Sequence, residues 1–164
     1  MAVGFVAEDV EYFILCQSTL NIHNGMVRLW LVLFQKDHWY EQSNKKNYSE
    51  LGEVKAPYVH SVKHSNTLYI SGMTAFGTAA QHQGIAEQAE EIFSQIRKIA
   101  SVEGTDFSAL IKVTIFITSF EEINELRKVL YRNYGEYLPA SSLVEVSRLF
   151  SPDLSIEIEA IFGL

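Results

Sequence analysis

Two amphipathic helical stripes, with a run of β-branched residues between them, constrain this chain more than any other feature. Apolar residues recur at Ile85, Ala89, Ile92, Phe93, Ile96, Ile99 and Ala100, while Glu87, Glu90, Glu91, Arg97 and Lys98 fall mostly on the other side. That spacing predicts a helix with one buried face, ended by Gly104. Ile123, Leu126, Leu130 and Tyr134 predict a second helix from Glu121 to about Tyr134, with Gly135 at its end. Between the two, Leu110 to Thr118 reads as a buried strand. Two helices covering one face of a mixed sheet would bury both stripes.

Further strands complete such a sheet. Tyr58 to Lys63 and Thr67 to Ser71 read as strands around the turn His64-Ser65-Asn66, after which Gly72 and Gly77 break the pattern. Ser142 to Leu149 and Ser155 to Phe162 read as two more, the last alternating Ile156, Ile158 and Ala160 with Glu157 and Glu159. The expected class is α/β (α+β), in the order β-β-α-β-α-β-β. Upstream of residue 50 no period holds. Phe5 to Leu15 mixes acidic and aromatic residues, Met26 to Phe34 could be one strand, and Gln42 to Asn47 reads as a loop or linker. The expected organisation is an N-terminal extension over 1–50, or an upstream addition with Met26 as the alternative start, and a domain over 52–164. If the extension is real, Met26 to Phe34 is expected to add a strand or pack on the domain, since that apolar run would aggregate if exposed.

Composition removes several function classes. The apolar fraction of 48% is ample for a packed core, and the net charge of −7 argues against general nucleic-acid binding. Met26 to Phe34 is interrupted by Arg28 and is too short for a bilayer, which takes ~20 apolar residues. Glu8, Asp9 and Glu11 stand where a secretory signal is neutral, and the single cysteine, Cys16, favours a reducing compartment. A cytoplasmic protein without membrane or nucleic-acid partners is expected.

Several segments, in order, carry a resemblance. They are Ala56-Pro57-Tyr58, Leu68-Tyr69-Ile70-Ser71-Gly72, Ile111 to Thr118, Pro139 to Leu149 and Ile156-Glu157-Ile158-Glu159-Ala160. Together they resemble the RidA/YjgF family, also called the L-PSP endoribonuclease family, over roughly residues 52 to 164. Three departures stand out. Val59 replaces the serine of the family's Gly-Pro-Tyr-Ser, Leu143 stands where many relatives have cysteine, and Ser141 replaces the arginine of Pro-Ala-Arg-Ser. The resemblance implies a chorismate-mutase-like fold whose last two strands form a hairpin. It also implies a homotrimer with a small-molecule cleft between subunits, and hydrolysis of amino-acid-derived imines or enamines without metal or organic cofactor. Some relatives are labelled ribonucleases or translation inhibitors.

The same resemblance assigns roles. Glu157 would orient the attacking water, Tyr58 would offer a stacking face and a hydroxyl, and Ser71 and Gly72 would set backbone groups against the ligand. Each has a plainer reading, as a strand carboxylate, a core or interface aromatic and a strand-ending turn. The family's arginine holds the substrate carboxylate through a planar fork. A charge-assisted hydrogen bond contributes about 1.5–3 kcal/mol, against about 1 for the neutral bond Ser141 could make, so carboxylate binding weakens about tenfold or more. Arg127, aligned with a cleft-facing asparagine, could compensate, or could be a solvated helix residue paired with nearby glutamates. Arg148 belongs to the ordinary family pattern and is read as structural. Among the histidines, His60 and His64 could share a strand face, but with His82 they lack an acidic partner at metal-site spacing and are read as solvated. The leading reading is a RidA-like trimer with reduced or altered imine hydrolase activity; the alternative is a non-catalytic binding or regulatory module. Ribonuclease activity is disfavoured by the acidic charge.

Overall fold

The computed structural model describes residues 43–164 and, upstream, the backbone of residues 5–7 and 10–12. The chain divides into two compact units, Met1–Gln42 and Ser43–Leu164. In the first, β1 (Phe5–Ala7) and β2 (Val10–Tyr12) pair antiparallel, with Phe5 opposite Tyr12. Cys16 and the run Met26 to Phe34 lie outside the described residues.

The second unit contains β3 (Asn44–Lys46), β4 (Ser61–His64), β5 (Thr67–Met73), α1 (Ile85–Val102), β6 (Leu110–Ile117), α2 (Ile123–Tyr134), β7 (Ala140–Glu145) and β8 (Ile156–Gly163). Its strands form one mixed sheet in the order β3-β4-β5-β8-β6-β7, antiparallel except for β6 and β7. The expected β-β-α-β-α-β-β order is present, with β3 added ahead of it. That short strand lies where a loop or linker was expected. Its polar residues gave no alternation, and only the pairing of Lys45 with Val62 and its neighbours makes it a strand.

The two helices and one face of the sheet enclose the core. Ile92, Phe93, Ile96 and Ile99 of α1 and Leu126 and Val129 of α2 pack with Leu68, Val113, Ile115, Ile158 and Phe162. Burial in β8 alternates as its sequence does, with Ile156, Ile158, Ala160 and Phe162 inside. Past α1, Gly104 adopts φ +78°, and the Thr105 N–H donates to the Ala100 carbonyl at 2.9 Å. A residue with a Cβ is strained in that conformation, so glycine ends the helix cleanly.

The last two strands do not form the expected hairpin. The α2 crossover places β7 parallel to β6, and β8 returns to the middle of the sheet, between β5 and β6. A strand–helix–strand unit favours parallel neighbours, and local alternation carries no record of which strand lies alongside. The face away from the helices is not purely polar. Tyr69 and Val144 are exposed on it, beside half-buried Phe116 and Ile161.

Candidate functional site

The site begins at an irregularity in β5. Ile70 pairs with Ala160 and Met73 with Ile158, so Ser71 and Gly72 together lie opposite the single residue Glu159. The extra residue is a β-bulge, a device that re-aims side chains. It lets the strand continue to Met73, past the glycine that the sequence pattern reads as its end. It also brings Gly72 against the side chain of Glu157. A Cβ at position 72 would stand 2.8 Å from Glu157 Cδ and 3.1 Å from Cγ, and would collide with Oε1. Only glycine admits the carboxyl group there.

Ser71 fastens this bulge to the segment before β4. Its Oγ donates to the Val59 carbonyl at 2.6 Å, and its N–H donates to the His60 carbonyl at 3.0 Å. Just upstream the Tyr58 N–H donates to the Ala56 carbonyl at 2.8 Å, a three-residue turn over Pro57. Tyr58 thereby opens onto a groove of about 810 Å³ that Gly72 also lines. Four expected site residues, Tyr58, Ser71, Gly72 and Glu157, are thus neighbours through hydrogen bonds, the groove and one close contact.

Glu157 is half-buried and makes no hydrogen bond or ion pair among the described residues. Burial pushes its pKa up, and the nearby charge of Glu159 adds to the rise. A carboxyl group so placed can take a proton from a water molecule.

The remaining expected site residues lie elsewhere on the chain. Ser141 is exposed on the edge strand β7 and pairs with Val113; Leu143 pairs with Ile115 and packs on the core. By register Ser141 shares the face of Val113, while Glu157 pairs with Phe116 on the opposite face. Next to Ser141, the Ser142 hydroxyl accepts from Lys112 Nζ at 2.8 Å, and the same ammonium donates to the Val113 carbonyl at 2.9 Å. Arg127 is exposed on α2 and has no glutamate partner among the described residues; the neighbouring Glu125 pairs with Lys128 instead. Arg148 is exposed too, with no bonded partner among the described residues.

One wall of the groove is the segment Glu50 to Ala56, held by a polar network the sequence pattern does not reveal. Tyr48 is buried; its hydroxyl lies 2.8 Å from Ser61 Oγ and donates to Glu103 Oε1 at 2.9 Å, which also accepts from Lys46 Nζ at 2.7 Å. Burial, with a smaller part from Glu103, pushes Tyr48 up to about 12 against the lowering effect of the Ser61 hydroxyl. Burial also acts to raise Glu103, but the hydrogen bonds from Lys46 and Tyr48 and the charges of Lys46 and Lys63 outweigh it, leaving its pKa lowered. The Tyr48 N–H donates to His60 Nδ1 at 3.1 Å. His60 is therefore not solvated, as the sequence reading had it, but buried, and burial lowers its pKa. His64 is exposed, and His82 lies 3.6 Å from Asp153. Among the described residues no three His, Cys, Asp or Glu side chains gather as metal ligands, and no helix is long and apolar enough to cross a membrane.

Sequence reasoning also missed two aromatics of the groove. Phe76 and Phe150 meet edge to face at 5.2 Å, from loops after β5 and before β8. The signal available was two phenylalanines in otherwise turn-like segments.

The family model described as Endoribonuclease L-PSP matches residues 50–162. A RutC family protein of Pyrococcus horikoshii is 33% identical over 108 residues, covering 64% of this chain and 85% of that protein. A 2-iminobutanoate/2-iminopropanoate deaminase of Escherichia coli is 30% identical over 110 residues, 64% of this chain and 85% of the enzyme. Among solved structures, a Mycobacterium tuberculosis member of the YjgF/YER057c/UK114 family superposes with a TM-score of 0.66 at 23% identity, covering 75% of this chain and all of that one.

Proposed function

The chain belongs to the L-PSP family of RidA/YjgF proteins, and from that premise we propose that it is a homotrimer with a small-molecule cleft between copies, related to imine and enamine hydrolases. The observation that carries the reading is the carboxyl group of Glu157 laid against Gly72 at the β5 bulge, half-dry and with a raised pKa. Hydrolysis needs a water oxygen to bond to the imine carbon while a base removes its proton, after which the C–N bond breaks and ammonia leaves a carbonyl product. Glu157 takes that proton. Tyr58 supplies a face for the ligand, and Ser71 holds the bulge in place. The edge strand β7, with Ser141 and Leu143 pointing away from Glu157, belongs to the cleft of a neighbouring copy. The sheet face away from the helices, with Tyr69, Val144 and Phe116, supports such an assembly, because that much apolar surface favours burial. The single cysteine, Cys16, suits a reducing cytoplasmic setting.

Ser141 alters the activity, since it removes the cationic fork for a carboxylate. It also supports the second reading, a binding or regulatory module on the same trimer that has lost turnover. The net charge of −7 speaks against ribonuclease action despite the family's description. The deciding experiment measures keto-acid release from enzymatically generated 2-aminoacrylate. Wild type is expected to exceed the uncatalysed rate, slowly, and Glu157→Ala to fall about 10²-fold or more toward it. Equal rates for wild type, Glu157→Ala and buffer refute hydrolysis and leave the binding module. Light scattering of a stable monomer at micromolar concentration refutes the trimer.

A further inference from the structure

His60 is a wall of the groove of about 810 Å³, yet only 6% of its surface is exposed. Its main-chain N–H donates to Asn47 Oδ1 at 3.0 Å, and its carbonyl accepts from the Ser71 N–H at 3.0 Å. Its ring Nδ1 accepts from the Tyr48 N–H at 3.1 Å. A ring nitrogen that accepts carries no proton, so the proton of the neutral imidazole sits on Nε2. Burial lowers the pKa of His60, which keeps the ring neutral at pH 7. The Nε2–H has no hydrogen-bond partner among the described residues, and Nε2 is not one of their sealed, orphaned atoms. A buried ring held from three sides thus keeps one open donor.

The charged walls of the groove do not select the ligand. Glu50, Glu53, Lys55 and Lys98 are all exposed, where water competes with any ion pair, and Glu91 accepts from Gln95 Nε2 at 3.2 Å. A buried donor gains more from a partner than an exposed charge does. The apolar walls do select. Phe76 and Phe150, 55% and 68% exposed, meet edge to face at 5.2 Å and offer their remaining surface to an aromatic group.

We propose that the groove binds an aromatic ligand through a carbonyl-type oxygen, as in an amide, ketone or carboxylate, with that oxygen on the Nε2–H of His60 and the aromatic ring against Phe76 and Phe150. The proposal goes beyond the hydrolase reading and stands without it. Glu157 is not a wall of this groove; it pairs with Phe116 on the sheet face away from the helices. A ligand with a donor in place of the oxygen meets a donor at His60 and loses that bond.

The test uses the full-length protein and two probes of the same length, phenylacetamide and 2-phenylethylamine. Neither is an imine, so binding here and imine turnover fail or succeed separately. By calorimetry the amide is expected to bind at least tenfold more tightly than the amine, and to lose several-fold in Phe150→Ala, whose ring is exposed and not needed for folding. Phenylacetate is expected to bind within a few-fold of the amide. The donor is read in wild type, because His60→Phe would also strip the Tyr48 N–H of its partner. In ¹⁵N-histidine-labelled protein at pH 7, the His60 proton is expected on Nε2, and saturation with phenylacetamide should move the Nε2 resonance more than Nδ1. Any of four results overturns the proposal: no binding of phenylacetamide at millimolar concentration, the amine binding as tightly as the amide, the His60 proton on Nδ1, or saturation that leaves Nε2 unmoved.

Discussion

Substituting Gly72 with alanine separates the site from the fold. Gly72 is not among the glycines with positive φ, so its backbone accepts a side chain. The new Cβ would stand 2.8 Å from Glu157 Cδ and 3.1 Å from Cγ. Comfortable carbon contacts are about 3.5–4.0 Å, so the carboxyl group must swing away by about 1 Å or more. That swing puts Glu157 in water through another rotamer, at a cost of at most about 1.5 kcal/mol, and the regained hydration offsets part of it. Unfolding free energy should therefore change by less than about 1 kcal/mol. Activity should respond far more, because a misplacement of about 1 Å in a catalytic group costs about 10²-fold, or about 2.7 kcal/mol of transition-state stabilisation. The pKa of Glu157 should also fall toward the ordinary carboxylate range as burial is relieved. Urea unfolding, the imine hydrolysis assay and carboxyl ¹³C NMR across pH read these three effects. Full activity in a folded Gly72→Ala protein, or an unmoved Glu157 titration, would show that the contact has no bearing on the chemistry.

Two further outcomes follow from buried polar groups. Because burial lowers the pKa of His60 from 6.5, the unfolded chain binds its proton first; the stability His60 contributes is whole above 6.5 and is lost as pH falls toward the folded value. Urea midpoints between pH 5 and 8 should show this acid-side loss, at no more than about 1.4 kcal/mol per pH unit, and His60→Asn should flatten it; an unchanged slope in that variant refutes the assignment. Glu157 contributes with the opposite sign, since its raised pKa favours the fold at low pH and that stability is lost as pH rises through its folded value. Gln88, fully buried, donates to the carbonyls of Gln81, Gln83 and Asp153 and accepts from the Ser155 N–H. Gln88→Leu leaves those groups unpaired and should lower unfolding free energy by about 2–4 kcal/mol, whereas a change under about 0.5 kcal/mol contradicts the role.

Periodicity made most of the second unit legible, because burial on one side imposes a repeat that a reader can count. The stripe from Ile85 to Ala100 and the alternation from Ile156 are buried as their spacing demands, whereas the run from Leu110, read as a buried strand, buries Leu110, Val113, Ile115 and Ile117 and leaves Ile111 exposed. Order along the chain and the motif residues also pointed to the family. What periodicity lacks is information about neighbours. Nothing in the run after Pro139 says that it lies parallel to β6, or that β8 enters the middle of the sheet; the α2 crossover and the packing of both helices decide that. Tyr48 and His60 sit in polar or broken stretches, so only the tertiary contact of β3 with β4 makes them buried partners. The juxtaposition of Gly72 with Glu157 is of the same kind. The two residues are far apart in sequence, and one extra residue in the pairing of β5 with β8 brings them together. A sequence lists which side chains are available and which faces they seek, whereas register and crossover, set by packing across long separations, decide which of them meet.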